Sequence, residues 1–226
     1  MYVPHPSREL TELFAQKPFQ GVAPERAAFL FVGLDANYGV QIAAKAIFTK
    51  ILEYHADGVA FWYKHGVHHP FLLPDYSGDG RMYHRSFSKI GFTPAHAELV
   101  SFIELLHVPT VGRNALVVSD LAQSHLKMLN AVILDGDAAH IFLPAAVARL
   151  MRASRIFPWL PQTPIKRSGA LDVLFKNGDK TVYSHLHFSV YGKFEQKKSE
   201  QAIAMRSLIE QSANNSFKPK PLSGSA

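Results

Sequence analysis

Apolar and polar positions along this chain follow two rhythms. Ala27-Ala-Phe-Leu-Phe-Val32 is an unbroken apolar run closed by Gly33, the pattern of a strand buried on both faces. Ala115-Leu-Val-Val118 and His140-Ile-Phe-Leu143 predict two more short buried strands. Leu171–Phe175 and Thr181–Leu186 flank Asn177-Gly178-Asp179, a turn signal between extended segments. The second rhythm is helical. Ser7 ahead of Glu9, Leu10, Leu13 and Phe14 predicts a capped short helix. Ile42, Ala46 and Ile51 space a helix over 40–54, and further helices are predicted over 86–90 and 94–106. Pro144 opens a helix reaching about Arg152, and Ala202, Met205 and Ile209 share one face of a last helix over 199–211. Residues 126–134 fit helix or strand equally. Residues 65–82, with three glycines, two prolines and three histidines, predict a long loop of the kind that carries function. Strands alternating with helices predict an α/β domain with a mostly parallel sheet.

Composition bounds what such a domain does. The 226 residues are 47% hydrophobic and 19% charged, enough to bury a core. One domain over 1–213 is expected, followed by a flexible tail over 214–226 rich in Asn, Ser, Lys and Pro. There is no cysteine, which excludes disulfides, thiolate metal sites, iron–sulfur clusters and thiol nucleophiles. No apolar run reaches the roughly 18 residues of a membrane span. Pro4-His-Pro-Ser7 stands where a signal peptide would need a basic and then an apolar region. The expectation is a soluble cytoplasmic monomer with no membrane contact.

Charge is unevenly placed. Residues 1–148 carry 11 Lys/Arg against 13 Asp/Glu, whereas residues 149–226 carry 13 against 5, net +8. A basic C-terminal third suits a polyanion on one side of the molecule, nucleic acid first.

Ligands of parallel sheets bind beyond the carboxyl ends of the strands, and three polar clusters are expected there. They are Gly33-Leu-Asp-Ala-Asn-Tyr38, Ser119-Asp120 and His187-Phe-Ser-Val-Tyr-Gly192. Gly33 lets a ligand approach the backbone. Asp35 is suited to hold a water or face a developing cation, and His187 to donate toward a developing anion. His68-His69 and His185-x-His187 lack a clear third ligand, so no metal is expected. Trp62 and Trp159 are expected in the core.

Phe29-Leu-Phe-Val-Gly-Leu-Asp-Ala-Asn-Tyr38 resembles the first motif of the uracil-DNA glycosylase superfamily, an apolar strand, glycine, a variable residue, then Asp or Asn. His187-Phe-Ser-Val-Tyr191 is similar to its second motif, His-Pro-Ser-Pro-Leu. Between them, the segment from Tyr83 to Pro94, running into Gly91-Phe-Thr93, is similar to the mismatch-specific branch. The resemblance spans roughly residues 27–210. Ala36, Phe188 and Val190 stand where the family has prolines.

The resemblance implies a three-layer α/β/α sandwich around a short, mainly parallel sheet. It implies a monofunctional DNA glycosylase that flips a damaged base, such as uracil, out of DNA and hydrolyses its N-glycosidic bond without metal or cofactor. Asp35 then positions water and faces the sugar cation, and His187 stabilises the departing base. Gly33, Leu34, Asn37, Tyr38, Phe71, Tyr76 and Ser119 would form the substrate pocket, with Phe71 the first choice to stack on the base. Ser189, Lys193, Lys197, Lys198 and Arg85 would contact phosphates, and Tyr191 would wedge into the duplex. The other functions open at this point are a catalytically silent DNA- or nucleotide-binding relative, and an unrelated hydrolase built on Asp120 and His125.

Overall fold

A computed structural model of the chain describes residues 2–112 and 115–216. Strand β1 (Val3–Pro4) leads into helix α1 (Arg8–Gln16), where Ser7 caps the start by accepting from the Leu10 amide. Then follow β2 (Phe19–Gly21), β3 (Phe29–Gly33), β4 (Asn37–Tyr38), α2 (Phe48–Ala56), α3 (Gly58–His65) and α4 (Arg81–Ser88). The middle of the chain supplies β5 (Val100–Glu104), β6 (Thr110–Val111), α5 (Gln123–Asp135), β7 (His140–Pro144) and α6 (Ala145–Ser154). The last third supplies β8 (Lys166–Ser168), β9 (Leu171–Asn177), β10 (Lys180–His185) and α7 (Glu195–Ser216).

Seven strands form one mixed sheet in the order β2-β5-β3-β7-β10-β9-β8. The four in the middle, β5, β3, β7 and β10, run parallel. Antiparallel β2 extends one edge, and antiparallel β9 and β8 extend the other. The sheet is therefore longer and more mixed than the sequence pattern suggests. The hairpin β9–β10, turning at Asn177-Gly178-Asp179, is antiparallel because so short a link cannot cross over. From β3 the chain passes to β5 on one side and later to β7 on the other. That reversal opens a crevice at the carboxyl ends of the strands.

Alternation along β3 divides the core. Phe29 and Phe31 pack with Trp62, Phe87, Phe142 and the Ala202–Met205–Ile209 face of α7. Leu30 and Val32 pack with α5 and α6 through Leu126, Leu129, Ile133, Val147 and Met151. Both faces of the sheet are thereby covered, and the molecule is a mixed α/β fold. A small separate sheet, β1-β6-β4, sits beyond the end of β3.

Several predicted elements differ, among them the helix expected over 86–90, which is α4 and already begins at Arg81 inside the expected loop. Residues 94–106 hold only a 3-10 turn, Pro94–Leu99, before the chain extends into β5. Val100 packs on one face of the sheet and Ile103 on the other, so a strand buried on both sides leaves apolar residues at spacings that mimic a helix. Residues 115–118 form no strand. Leu116 alone is buried, Val117 is half exposed, and Val118–Asp120 curls into a 3-10 turn. The helix predicted over 40–54 begins only at Phe48, because Gly39 and Val40 lie exposed ahead of a short 3-10 turn at Ile42–Ala44. At the C-terminus, α7 continues to Ser216, past the expected start of the tail, and 217–226 lie outside the described residues.

Candidate active site

A cavity of about 690 Å³ opens beyond the carboxyl ends of β3 and β5. Asp35, two residues past β3, and His187, two residues past β10, both line it. Gly33, Leu34, Asn37, Tyr38, Phe71 and Ser189 line it as well. Two predicted pocket residues do not. Ser119 lies exposed on the 3-10 turn that replaces the expected strand. Tyr76 is buried beside Phe71, the two rings stacked 4.3 Å apart and 11° from parallel, so it braces Phe71 without reaching the cavity.

The loop carrying Asp35 is fastened by strand pairing and side-chain hydrogen bonds. β4 pairs in parallel with β6, and the Thr110 amide donates to the Ala36 carbonyl at 2.9 Å. Thr110 Oγ1 donates to Asp35 Oδ2 at 2.6 Å, and Asn37 Nδ2 donates to Thr110 Oγ1 and to the Gly112 carbonyl. Asn37 therefore acts on the loop that holds Asp35. Tyr38 is tied the same way: its hydroxyl lies 2.7 Å from His55 Nε2, while the Gln20 side-chain amide lies 3.2 Å from His55 Nδ1. With Gln20 donating to Nδ1, the neutral ring carries its proton on Nε2 and gives it to the Tyr38 oxygen. That leaves the tyrosine's own proton to the cavity. Burial keeps His55 neutral, its pKa lowered to about 3.

His187 sits at the solvent-exposed rim, its ring 5.3 Å from that of Tyr83. Its Nδ1 accepts from the Ser189 amide at 3.3 Å. Desolvation lowers its pKa below the ordinary histidine value, and the Asp35 charge opposes this more weakly. The neutral ring thus carries its proton on Nε2, a donor on the edge away from the backbone.

The cavity contains a carboxyl group that sequence reasoning missed. Glu104 ends β5, directly beside Gly33 in the parallel pairing. A Cβ at Gly33 would fall 1.9 Å from Glu104 Oε2, so glycine is what allows this carboxyl to lie over the end of β3. Burial first, and the Asp35 charge second, push the Glu104 pKa up to about 8. The assignment of 94–106 to a helix hid it. The visible signal was a polar residue closing the run Val100-Ser-Phe-Ile.

Three histidines complete one wall. The rings of His69 and His84 stack 3.5 Å apart and 8° from parallel, and His68 Nε2 lies 3.2 Å from His84 Nδ1. Desolvation lowers the pKa of all three, so the wall is neutral. Among the described residues no three histidine, aspartate or glutamate side chains are placed to share a metal ion.

On the 187–191 loop Tyr191 is 80% exposed, and past it Lys193 and Lys197 are exposed in a separate groove shared with Arg167, Asp172 and Glu200. Arg85 is exposed on α4, the helix that brings Tyr83 and His84 to the cavity. Lys198, predicted to face phosphate, is buried instead: its Nζ donates to the Val190 carbonyl at 2.6 Å and pairs with Glu195 Oε1 at 2.8 Å. It ties the 187–191 loop to the start of α7. Asp120 and His125 are turned to structural use. Asp120 accepts from the Val117 amide, and His125 Nε2 bonds the Glu104 carbonyl oxygen at 2.8 Å.

No protein-family model and no curated protein matches the chain. Among the described residues no helix is long and apolar enough to cross a membrane.

Proposed function

We propose that the protein is a monofunctional DNA glycosylase that hydrolyses the N-glycosidic bond of uracil or a related damaged base flipped out of DNA. The observation that carries this reading is that Asp35 and His187, from opposite ends of the sequence, open onto one cavity. The covered parallel strands at the centre of the sheet are also what a three-layer α/β/α sandwich of the uracil-DNA glycosylase superfamily requires.

In this reading the base enters the cavity beside Phe71 while the sugar stays near the mouth. Asp35, oriented by Thr110, lies against the sugar, holds the attacking water and offsets positive charge as the bond lengthens. His187 donates from Nε2 to the negative charge growing on the base. A hydrogen-bonded pyrimidine anion is an acceptable leaving group, so the scheme uses protein groups alone. Tyr191 enters the gap in the duplex, and Lys193, Lys197 and Arg85 meet phosphates. The protein then works as a cytoplasmic monomer on DNA.

Incubation in EDTA with oligonucleotides carrying uracil, hypoxanthine, xanthine or mismatched thymine, followed by alkaline cleavage, tests the proposal. Strand breaks only after alkali, lost in Asp35→Asn, support it. Salt-sensitive DNA binding with no abasic product would instead identify a silent DNA-binding relative.

A further inference from the structure

We infer that Glu104, held as the neutral acid, reads the lactam edge of the bound base, an N–H beside a C=O, and so sets the ligand class to uracil-, hypoxanthine- and xanthine-like bases. This rests on the glycosylase reading for the identity of the ligand but not for the chemistry of the contact.

Three observations carry it. First, several other polar groups of the wall are engaged by the protein. Asp35 is bonded by Thr110, Tyr38 by His55, His68 by His84, Asn37 by Thr110, and His187 Nδ1 by the Ser189 amide. No described residue forms a hydrogen bond to the Glu104 carboxyl, although that carboxyl lies in the cavity. A polar group desolvated there without a protein partner is positioned for a ligand.

Second, among the described residues nothing around it supplies positive charge. The titratable groups facing the cavity are Asp35 past β3, Tyr38 on β4, Tyr54 on α2, His68 and His69 in the loop, Asp79, Tyr83 and His84 at α4, and His187 past β10. The carboxyl groups are like charges, and the shifted tyrosines and histidines are held neutral. No lysine or arginine among the described residues lines the cavity. Among the described residues a carboxylate here would have no counter-charge, whereas the acid form needs none.

Third, the protonation state fixes the pairing pattern. A neutral carboxylic acid offers one donor and one acceptor side by side, complementary to the N–H and C=O of a lactam. An ionised carboxylate offers acceptors only and would select two adjacent donors instead.

Calorimetric binding of free uracil and of 1,3-dimethyluracil, which has no N–H, tests this on the full chain at pH 6 and pH 9. At pH 6 uracil should bind at least tenfold tighter than 1,3-dimethyluracil, and at pH 9 the preference should shrink toward unity. Glu104→Gln, which keeps a donor and an acceptor at both pH values, should retain the preference at both. Glu104→Ala should abolish it while circular dichroism shows the same fold. No uracil binding at pH 6, equal binding of the two bases, or a Glu104→Gln profile that tracks the native one would overturn the inference. Base release from uracil-containing DNA is assayed alongside. If the binding signature appears without base release, the glycosylase reading fails and the inference stands; base release without the signature is the converse.

Discussion

Thr110 Oγ1 donates a 2.6 Å hydrogen bond to Asp35 Oδ2 across 75 positions of sequence. The contact is possible because β4 and β6 pair in parallel just beyond the end of β3 and bring the two loops together. It orients the carboxyl group that holds water in the proposed reaction, so under that reading its loss should be felt in turnover. A hydrogen bond to a charged group is worth about 1.5–3 kcal/mol. Thr110→Val should therefore lower kcat on uracil-containing DNA by about 10- to 100-fold with little change in KM. Thr110→Ser should restore most of the rate. Equal losses in both variants would argue that Asp35 needs no such orientation.

Asp35 and His187 themselves should show larger effects. Asp35→Asn keeps the volume of the side chain but removes the negative charge that the proposed reaction sets against the sugar. His187→Ala removes the Nε2 donor that the proposed reaction sets against the base. Each should reduce single-turnover base release by about 10²–10⁴-fold, the usual scale for a positioned acid–base or anion-stabilising group. Duplex binding, measured by fluorescence anisotropy, should change far less, because phosphate contacts dominate affinity.

Much of this arrangement was legible in the sequence. The run 27–33 specified a buried strand and the position of Asp35, and the apolar stretch ending at Leu143 did the same for β7. The Asn177-Gly178-Asp179 turn specified the last hairpin. What was not legible depends on neighbours distant in sequence. Glu104 and Thr110 acquire their meaning only when β5 lies against β3 and β6 against β4. Lys198 reads as one more surface cation, yet the fold buries it by placing the Val190 carbonyl within reach. Local periodicity cannot report either event.

Stability should depend on pH through Glu104. Its folded pKa, about 8, exceeds the ordinary value of 4.5, so folding favours the protonated form. The stability this group contributes is complete below its ordinary pKa and is lost as pH rises through the folded value. Glu104→Gln should thus gain thermal stability relative to the native chain between pH 5 and pH 8 and hold that gain above. Discounted for the solvent that reaches the cavity, the gain is about 1–3 kcal/mol, or about 2–4 °C per kcal/mol. The buried histidines titrate in both proteins and cancel in the difference. A constant offset from pH 5 to pH 9, followed by calorimetry, would contradict a buried acid.

Gly33→Ala separates space from stability. The added Cβ would meet the Glu104 carboxyl at 1.9 Å, but the obstacle is the far end of a flexible side chain that can rotate away. The melting temperature should shift by only a few degrees, about 1 kcal/mol. The carboxyl would nevertheless leave its place over β3, so discrimination between uracil and 1,3-dimethyluracil should fall as in Glu104→Ala. Adding Glu104→Ala to Gly33→Ala should then cost no further discrimination, a non-additivity expected of two changes acting on one contact.

The lysines that follow the 187–191 loop divide into two that meet solvent and one that does not. Lys193 and Lys197 are exposed, whereas the Lys198 ammonium is engaged by Val190 and Glu195. If this surface carries DNA, Lys193→Ala and Lys197→Ala should each weaken duplex binding and reduce the slope of log K against log salt by about 1. Lys198→Ala should leave that slope unchanged. It should instead loosen the 187–191 loop, visible as faster amide exchange at Ser189 and Tyr191 and as slower base release at saturating DNA. Tyr191→Ala, which removes a ring that is 80% exposed, should slow base release from duplex DNA more than from single strands, since only the duplex has a gap for the ring to fill. Equal slowing on both substrates would assign Tyr191 to strand contact rather than to the opened base pair.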